Sequence, residues 1–100
     1  MTKVTAINTL AVKPGRMDEF ISLQREFAIS RCLTGLIGGR MYRNREGTKA
    51  VLVSQFESAE AQAAIIGSAE LQAHLAKLRE MVDSSSPDIY EEAYTYGAFK

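Results

Sequence analysis

The chain is poor in the residues that build cross-linked or metal-bound cores. Its 100 residues include one cysteine, one histidine and no tryptophan. A lone cysteine cannot form a disulfide within the chain, and one Cys with one His cannot supply the four ligands of a structural zinc site. Gly-rich nucleotide-binding motifs are also missing. We therefore expect no metal or other cofactor, and a reducing compartment, the cytoplasm.

The sequence has neither an excess of one charge nor a long apolar run. Twelve basic residues balance 12 acidic ones, and scattered arginines at 40, 43 and 45 form no basic cluster. Such a surface has no positively charged patch that would bind nucleic acid or an anionic membrane. The first residues lack the apolar region of a signal peptide, and no apolar run approaches the roughly 18 residues of a membrane span. We expect a small-molecule partner, and neither nucleic acid nor membrane.

The length accommodates one modest hydrophobic core, so residues 1–100 are predicted to form a single domain. Alternating apolar residues predict a strand from Lys3 to Val12. Apolar residues spaced by three and four predict a helix from about Arg16 to Ser30. Two further strands, Leu36 to Arg43 and Lys49 to Glu57, flank a polar, glycine-containing hairpin loop, and the first of them is expected to be weakened or bulged at its glycines.

The second half of the chain predicts two helices and a last strand. Ser58 and Ser68 are suited to cap the helices, and Gly67 separates them. Residues 84–87 are predicted to form a loop, and alternation from Asp88 to Phe99 predicts a strand. The order β-α-β-β-α-α-β defines a ferredoxin-like α+β fold, with a four-stranded antiparallel sheet and helices on one face.

The third strand indicates how the open side of this sheet is used. Its segment Ala50 to Val53 is apolar on both faces, whereas the helices cover one. Large exposed apolar patches are rare in soluble monomers. We therefore expect a homodimer in which two sheets face each other. Cys32 and the four methionines are interpreted as packing residues.

Four stretches of the chain carry a family resemblance through their order and spacing. They are Val12 to Gly15, Thr34 to Arg43, Val51 to Ala61 and Ser68 to Leu75. Together they resemble the antibiotic-biosynthesis monooxygenase family, whose members are small dimeric ferredoxin-like α+β barrels. The family includes cofactor-free oxygenases acting on polycyclic phenols, haem-degrading relatives and isomerase-like members, so the resemblance alone fixes no reaction.

One branch of that family can be tested on the sequence. The haem-degrading relatives combine an Asn on the first strand with a Trp and a His on the second helical segment. Asn8 matches that Asn, but Ile65 stands at the Trp position and Leu75 at the His position. His74 is one residue away, which on a helix turns the side chain by roughly 100°. The resemblance therefore argues against haem breakdown.

Two polar residues are the candidate catalytic groups. Asn8 interrupts the apolar side of the first strand, where a buried amide must find partners. It could orient a substrate carbonyl or stabilise an oxyanion, or it could be satisfied by a neighbouring loop backbone. His74 belongs to the apolar stripe of the last helix with Leu71 and Leu78. It could act as a general base, or be a partly buried structural histidine bonded to the backbone.

Apolar side chains are predicted to form the walls of a cavity between sheet and helices. The predicted wall residues are Phe20, Phe27, Phe56, Ile65 and Leu71. The tyrosines at 42, 90, 94 and 96 could bind a phenolic substrate, but such a stripe more often forms a sheet face or dimer interface.

Three functions are compatible with the sequence. The first is a cofactor-independent monooxygenase that oxidises a small aromatic phenol or quinol with dioxygen. The second is an isomerase-like proton-transfer enzyme on a small metabolite with His74 as base, and the third is a non-catalytic small-ligand-binding dimer.

Overall fold

Four strands and three helices follow the order β-α-β-β-α-α-β in the computed structural model, which describes residues 2–30 and 33–99. The elements are β1 Val4–Val12, α1 Met17–Ser30, β2 Leu36–Arg43, β3 Lys49–Phe56, α2 Ala59–Ile66, α3 Ala69–Arg79 and β4 Val82–Tyr90. The predicted ferredoxin-like α+β class is confirmed. Within the described ranges, no helix is long and apolar enough to cross a membrane.

The strands form one antiparallel sheet in the order β2-β3-β1-β4. β1 is central, and its Asn8 pairs with Leu52 of β3 on one side and Pro87 of β4 on the other. The register of β2 against β3 shifts between Leu36 and Gly38, which confirms the irregularity predicted at the glycines.

Local sequence signals set the element boundaries. Gly15 and Gly47 have φ values of 77° and 72°, a conformation that glycine adopts without steric cost, in the turns before α1 and between β2 and β3. Ser58 Oγ accepts from the backbone N of Ala61 at 3.1 Å, and Ser68 Oγ accepts from that of Leu71 at 3.3 Å. Both serines are therefore the N-caps that the sequence predicted.

The hydrophobic core lies between the sheet and the helices, toward the end of β1. Phe20 of α1 is completely buried. The buried residues packed with it are Leu10, Val12, Met17, Ala50, Leu78 and Met81. Because side chains alternate along a strand, Val51 and Val53 of β3 point to the opposite face, where both are partly exposed in a single chain. We call this face, which also carries Tyr42, the open face of the sheet.

The last strand differs from the prediction. Residues 84–87, predicted as a loop, lie within β4 and pair with residues 8–11 of β1, whereas the chain after Tyr90 has no regular structure up to residue 99. β4 is an edge strand, where exposed serines and a proline are tolerated because one side of the strand needs no partner. The strand predicted from the alternating residues beyond Tyr90 was therefore wrong. Cys32, predicted to pack, lies outside the described residues.

Candidate functional site

A cavity of about 670 Å³ lies between the helix-covered face of the sheet and the three helices. The cavity lies over the part of the sheet around Ala6 and Asn8, whereas the hydrophobic core packs on Leu10 and Val12, further along the same strand. Its size is within the range of small-molecule sites. Every strand and helix contributes to its lining, which includes Ile21, Gln24, Phe27, Met41, Leu52, Ser54, Phe56, Gln62, Ile65, Leu71, His74, Leu75 and Pro87.

The cavity brings together six of the seven residues selected from the sequence. Asn8 and His74 line it with Phe27, Phe56, Ile65 and Leu71. Phe20 is not part of the lining and lies in the core instead. Phe20 and Phe27 are on nearly the same helix face, but seven residues separate them along the axis by roughly 10 Å. Periodicity therefore identified the correct face of α1 without showing where the core ends and the cavity begins.

The Asn8 side chain is anchored at one end by the neighbouring strand. Its Oδ1 accepts a hydrogen bond from the backbone N of Ser86 at 3.1 Å. Ser86 precedes Pro87, which has no N–H of its own and pairs with Asn8 in the ladder. Since the acceptor of the amide is engaged, Nδ2 with its two hydrogens is the end left for a ligand, and no hydrogen bond engages it within residues 2–30 and 33–99.

His74 is held on one edge and one face. Its side chain is buried, with the residue 6% exposed, and Nε2 is hydrogen-bonded to Oε1 of Gln24 on α1. The ring stacks on Phe27, with centroids 4.0 Å apart and planes 12° apart. Burial lowers the pKa of the imidazole below its usual 6.5, and the nearby positive charge of Lys77 lowers it further. His74 is therefore neutral at physiological pH and able to accept a proton.

Gln24 is a site residue that the sequence interpretation did not single out. It lies in the apolar stripe of α1, three residues before Phe27, and lines the cavity. The signal was the one that identified Asn8, namely a polar amide on an otherwise apolar face. The partner of that amide, His74, lies 50 residues away on another helix, so local periodicity could not identify the pair.

The tyrosines lie apart from this site. The cavity lining in the described part of the chain contains no tyrosine. Tyr42 accepts a 3.3 Å hydrogen bond from Arg40, and Tyr90, Tyr94 and Tyr96 are between 48% and 81% exposed. This position favours the interpretation of the tyrosines as surface or interface residues. Among the described residues, no group of three or more His, Cys, Asp or Glu side chains could hold a metal ion.

The sequence matches the antibiotic biosynthesis monooxygenase family model over residues 3–77. This chain therefore belongs to the antibiotic biosynthesis monooxygenase family. The match spans the cavity-lining residues of β1, β2, β3 and all three helices, including Asn8 and His74. Among proteins with curated descriptions, none matches this chain in sequence.

Solved structures share this fold over nearly their whole length. SnoaB from Streptomyces nogalater, described as a cofactor-independent oxygenase, superposes with a TM-score of 0.83 at 20% identity, covering 95% of this chain and 97% of that one. Rv0793 from Mycobacterium tuberculosis gives 0.79 at 16% identity, covering 96% and 100%. A conserved protein from Methanosarcina mazei gives 0.80 at 19% identity, covering 92% and 94%. At these identities the likeness shows the fold alone.

Proposed function

We propose that this protein is a cofactor-independent monooxygenase that oxidises a small aromatic substrate of the phenol or quinol type with dioxygen. The observation that carries the proposal is the cavity itself, in which a buried neutral imidazole and an anchored amide face one largely apolar space. Family membership supports the reaction class, and SnoaB offers a structural precedent for an oxygenase on this fold.

The first step is removal of a proton from the substrate by His74. The imidazole is neutral because its pKa is lowered, so it can accept a proton without first losing one. A phenol or an enolisable ketone stacked in the cavity would lose this proton to form a resonance-stabilised anion. Phe27, Phe56 and Leu71 supply apolar walls for its rings.

Asn8 supports this step by stabilising the negative charge on the substrate oxygen. Because Ser86 fixes Oδ1, the Nδ2 hydrogens are oriented before the substrate arrives. A donor held in place in a site with little water stabilises a developing oxyanion more than a mobile one does.

The reaction with dioxygen balances without a further reductant. For an anthrone-type CH₂ group, the carbanion gives its electrons to dioxygen and forms a C–O bond, producing a hydroperoxide after protonation. Loss of the second C–H proton and cleavage of the O–O bond then yield a carbonyl and water. One oxygen atom enters the product and the other leaves as water, so the substrate is the source of all the electrons.

Oxygen uptake by the purified protein tests the proposal directly. We expect uptake with members of a panel of anthrones and hydroquinones, no stimulation by flavin or nicotinamide, and, for an anthrone, one ¹⁸O atom from ¹⁸O₂ in the product. His74→Gln should abolish most of the activity, while Gln72→Asn, an exposed change on the same helix, should not. No uptake across the panel by folded protein would contradict the proposal.

The His74 geometry also fits a second candidate, an isomerase-like proton-transfer enzyme on a small metabolite. A buried neutral base and an oxyanion donor are the groups that enolisation requires, with or without oxygen. Solvent deuterium exchange into a bound ketone without oxygen uptake would favour this function. Tight binding of an aromatic compound without exchange or turnover would instead favour a non-catalytic binding protein.

The working form that we propose is a homodimer in the cytoplasm. Support for the dimer comes from the open face, where Val51 and Val53 are partly exposed and Tyr42 is exposed in a single chain. A lone cysteine supports a reducing compartment.

A further inference from the structure

Gln24 and His74 form a pair that joins α1 to α3 across the cavity. Oε1 of Gln24 is hydrogen-bonded to Nε2 of His74, and Phe27, one turn further along α1, covers the face of the same ring. Residues three apart lie on one side of a helix, so α1 restrains the imidazole both at its edge and over its face.

We propose that Gln24 is a positioning residue that keeps the proton of neutral His74 on Nε2 and so makes Nδ1 the nitrogen that receives the substrate proton. This role rests on the proposed function insofar as His74 is the base, but the position of the ring proton does not depend on any reaction.

The chemistry of the two groups leads to this assignment. A neutral imidazole has one N–H donor and one acceptor nitrogen, and the bond at one nitrogen sets which form is present. The Oε1 atom is an acceptor, so the nitrogen facing it must be the donor. A substrate hydroxyl deprotonated by His74 must therefore approach Nδ1.

An amide can hold the imidazole in place without favouring its protonated form. A carboxylate at this position would favour the imidazolium and raise its pKa. The charged residues that border the cavity are Arg25 of α1, Arg40 of β2 and Asp88 of β4, and Lys77 adds positive charge on α3 itself. In these surroundings the uncharged Gln24 leaves His74 available as a base.

Nuclear magnetic resonance of the ring nitrogens tests the assignment, and the presence of one histidine makes the spectrum simple. In ¹⁵N-histidine-labelled wild-type protein at a pH well above 6.5, we expect a protonated Nε2 and an unprotonated Nδ1. Gln24→Met keeps the length of the side chain and loses the strong acceptor, so the two nitrogen shifts should move toward each other as both tautomers become populated. Gln24→Glu restores the acceptor and should return the Nε2–H form while raising the pKa of His74.

Gln62→Met is the matched control, because Gln62 also lines the cavity and has no hydrogen bond to His74 within the described ranges. It should leave both nitrogen shifts unchanged. A proton on Nδ1 in the wild-type protein, or unchanged shifts in folded Gln24→Met, would overturn the proposal. If Gln24→Met does not fold, the wild-type and Gln24→Glu spectra still decide it.

Kinetics separate this proposal from the proposed function. Once a substrate that the protein oxidises has been identified, Gln24→Met should lower kcat and change KM little. The decrease in kcat can reach the roughly 10²-fold to 10⁴-fold that a positioned general base contributes. A wild-type protein with Nε2–H but no oxygen uptake would contradict the monooxygenase function while supporting the role of Gln24 in fixing the tautomer.

Discussion

The imidazole of His74 lies nearly parallel to the phenyl ring of Phe27, with ring centroids 4.0 Å apart. This contact removes water from one face of the imidazole, and Gln24 occupies its Nε2 edge. A charged imidazolium in this position would lose its hydration, and neither Phe27 nor Gln24 carries a negative charge that would compensate for the loss. The same packing that makes His74 a neutral base therefore links the stability of the fold to pH.

We expect the free energy of unfolding to fall as the pH is lowered through the range below 6.5. Above 6.5 the imidazole is neutral in the folded and the unfolded chain. Below it, the unfolded chain binds a proton first, because the pKa is lowered in the folded state, and the loss stops once the pH is below the folded pKa. Urea unfolding between about pH 8 and about pH 5 measures this slope, before most carboxylates titrate.

His74→Gln provides the control for that experiment. The chain has no other histidine, so the variant should lose most of the pH dependence across this range while the dependence at lower pH remains. An equal slope in wild type and variant would show that His74 does not carry the effect.

Asn8→Asp tests the amide as a hydrogen-bond donor. The carboxylate can still accept from the backbone N of Ser86, but it has no hydrogens to offer a substrate oxyanion. With a substrate identified by oxygen uptake, we expect kcat to drop by about 10²-fold to 10³-fold, the usual effect of removing one oxyanion donor. KM should change much less, and steady-state oxygen uptake measures both constants.

Asn44→Asp makes the same chemical change outside the cavity. Asn44 lies in the hairpin loop, where its Oδ1 accepts from the backbone N of Thr48 and of Lys49, and Asp can keep both bonds. This variant should retain wild-type kcat. If Asn8→Asp also retained it, Asn8 would have a purely structural role in anchoring β4.

The sequence allowed most of the fold to be predicted because its elements carry strong local signals. Helix α1 has an unambiguous apolar stripe, and Ser58 and Ser68 cap the two later helices. β4 could not be predicted in this way. Its segment 84–87 is polar and contains Pro87, and it is a strand because the edge of β1 provides a partner, which is a tertiary effect.

The candidate site was predictable in part for the same reason. Asn8 and His74 stand out as polar residues on apolar faces, and the structure places both at one cavity. The pairing of His74 with Gln24 depends on how α1 and α3 lie across the sheet. Periodicity reports which face of an element is buried, but it does not report which buried residues of two distant elements meet.

Val53→Lys tests the dimer proposed from the open face. Val53 is partly exposed in a single chain, beside Arg40 of the neighbouring strand β2. If two sheets face each other there, a lysine would place an unpaired charge in the interface and should shift the protein from dimer to monomer in sedimentation equilibrium. Ala73→Lys, which adds the same charge at an exposed position of helix α3, away from the open face, should leave the dimer intact. A wild-type monomer at all concentrations would contradict the proposal.

Adjacent glycines in β2 offer a final prediction, because the space around them differs. A Cβ on Gly39 would lie 2.6 Å from the carbonyl oxygen of Val53 and 3.3 Å from the Cα of Ser54, whereas a Cβ on Gly38 would meet nothing within 4 Å. The closest of these neighbours, the carbonyl oxygen of Val53, is a backbone atom of β3 and cannot rotate away as a side chain could. Alanine at Gly39 must therefore separate two paired strands locally.

We expect Gly39→Ala to lower the free energy of unfolding by about 1–3 kcal/mol, the usual cost of overpacking. Gly38→Ala should be neutral or stabilising by up to about 1 kcal/mol, because alanine restricts the unfolded chain. Urea unfolding of both variants gives the comparison. Since both glycines line the cavity, ligand binding measured in parallel would show whether separation of β2 from β3 also distorts the site. Equal stabilities for the two variants would contradict the close approach of β3 to Gly39, because a contact of 2.6 Å could not be accommodated without cost.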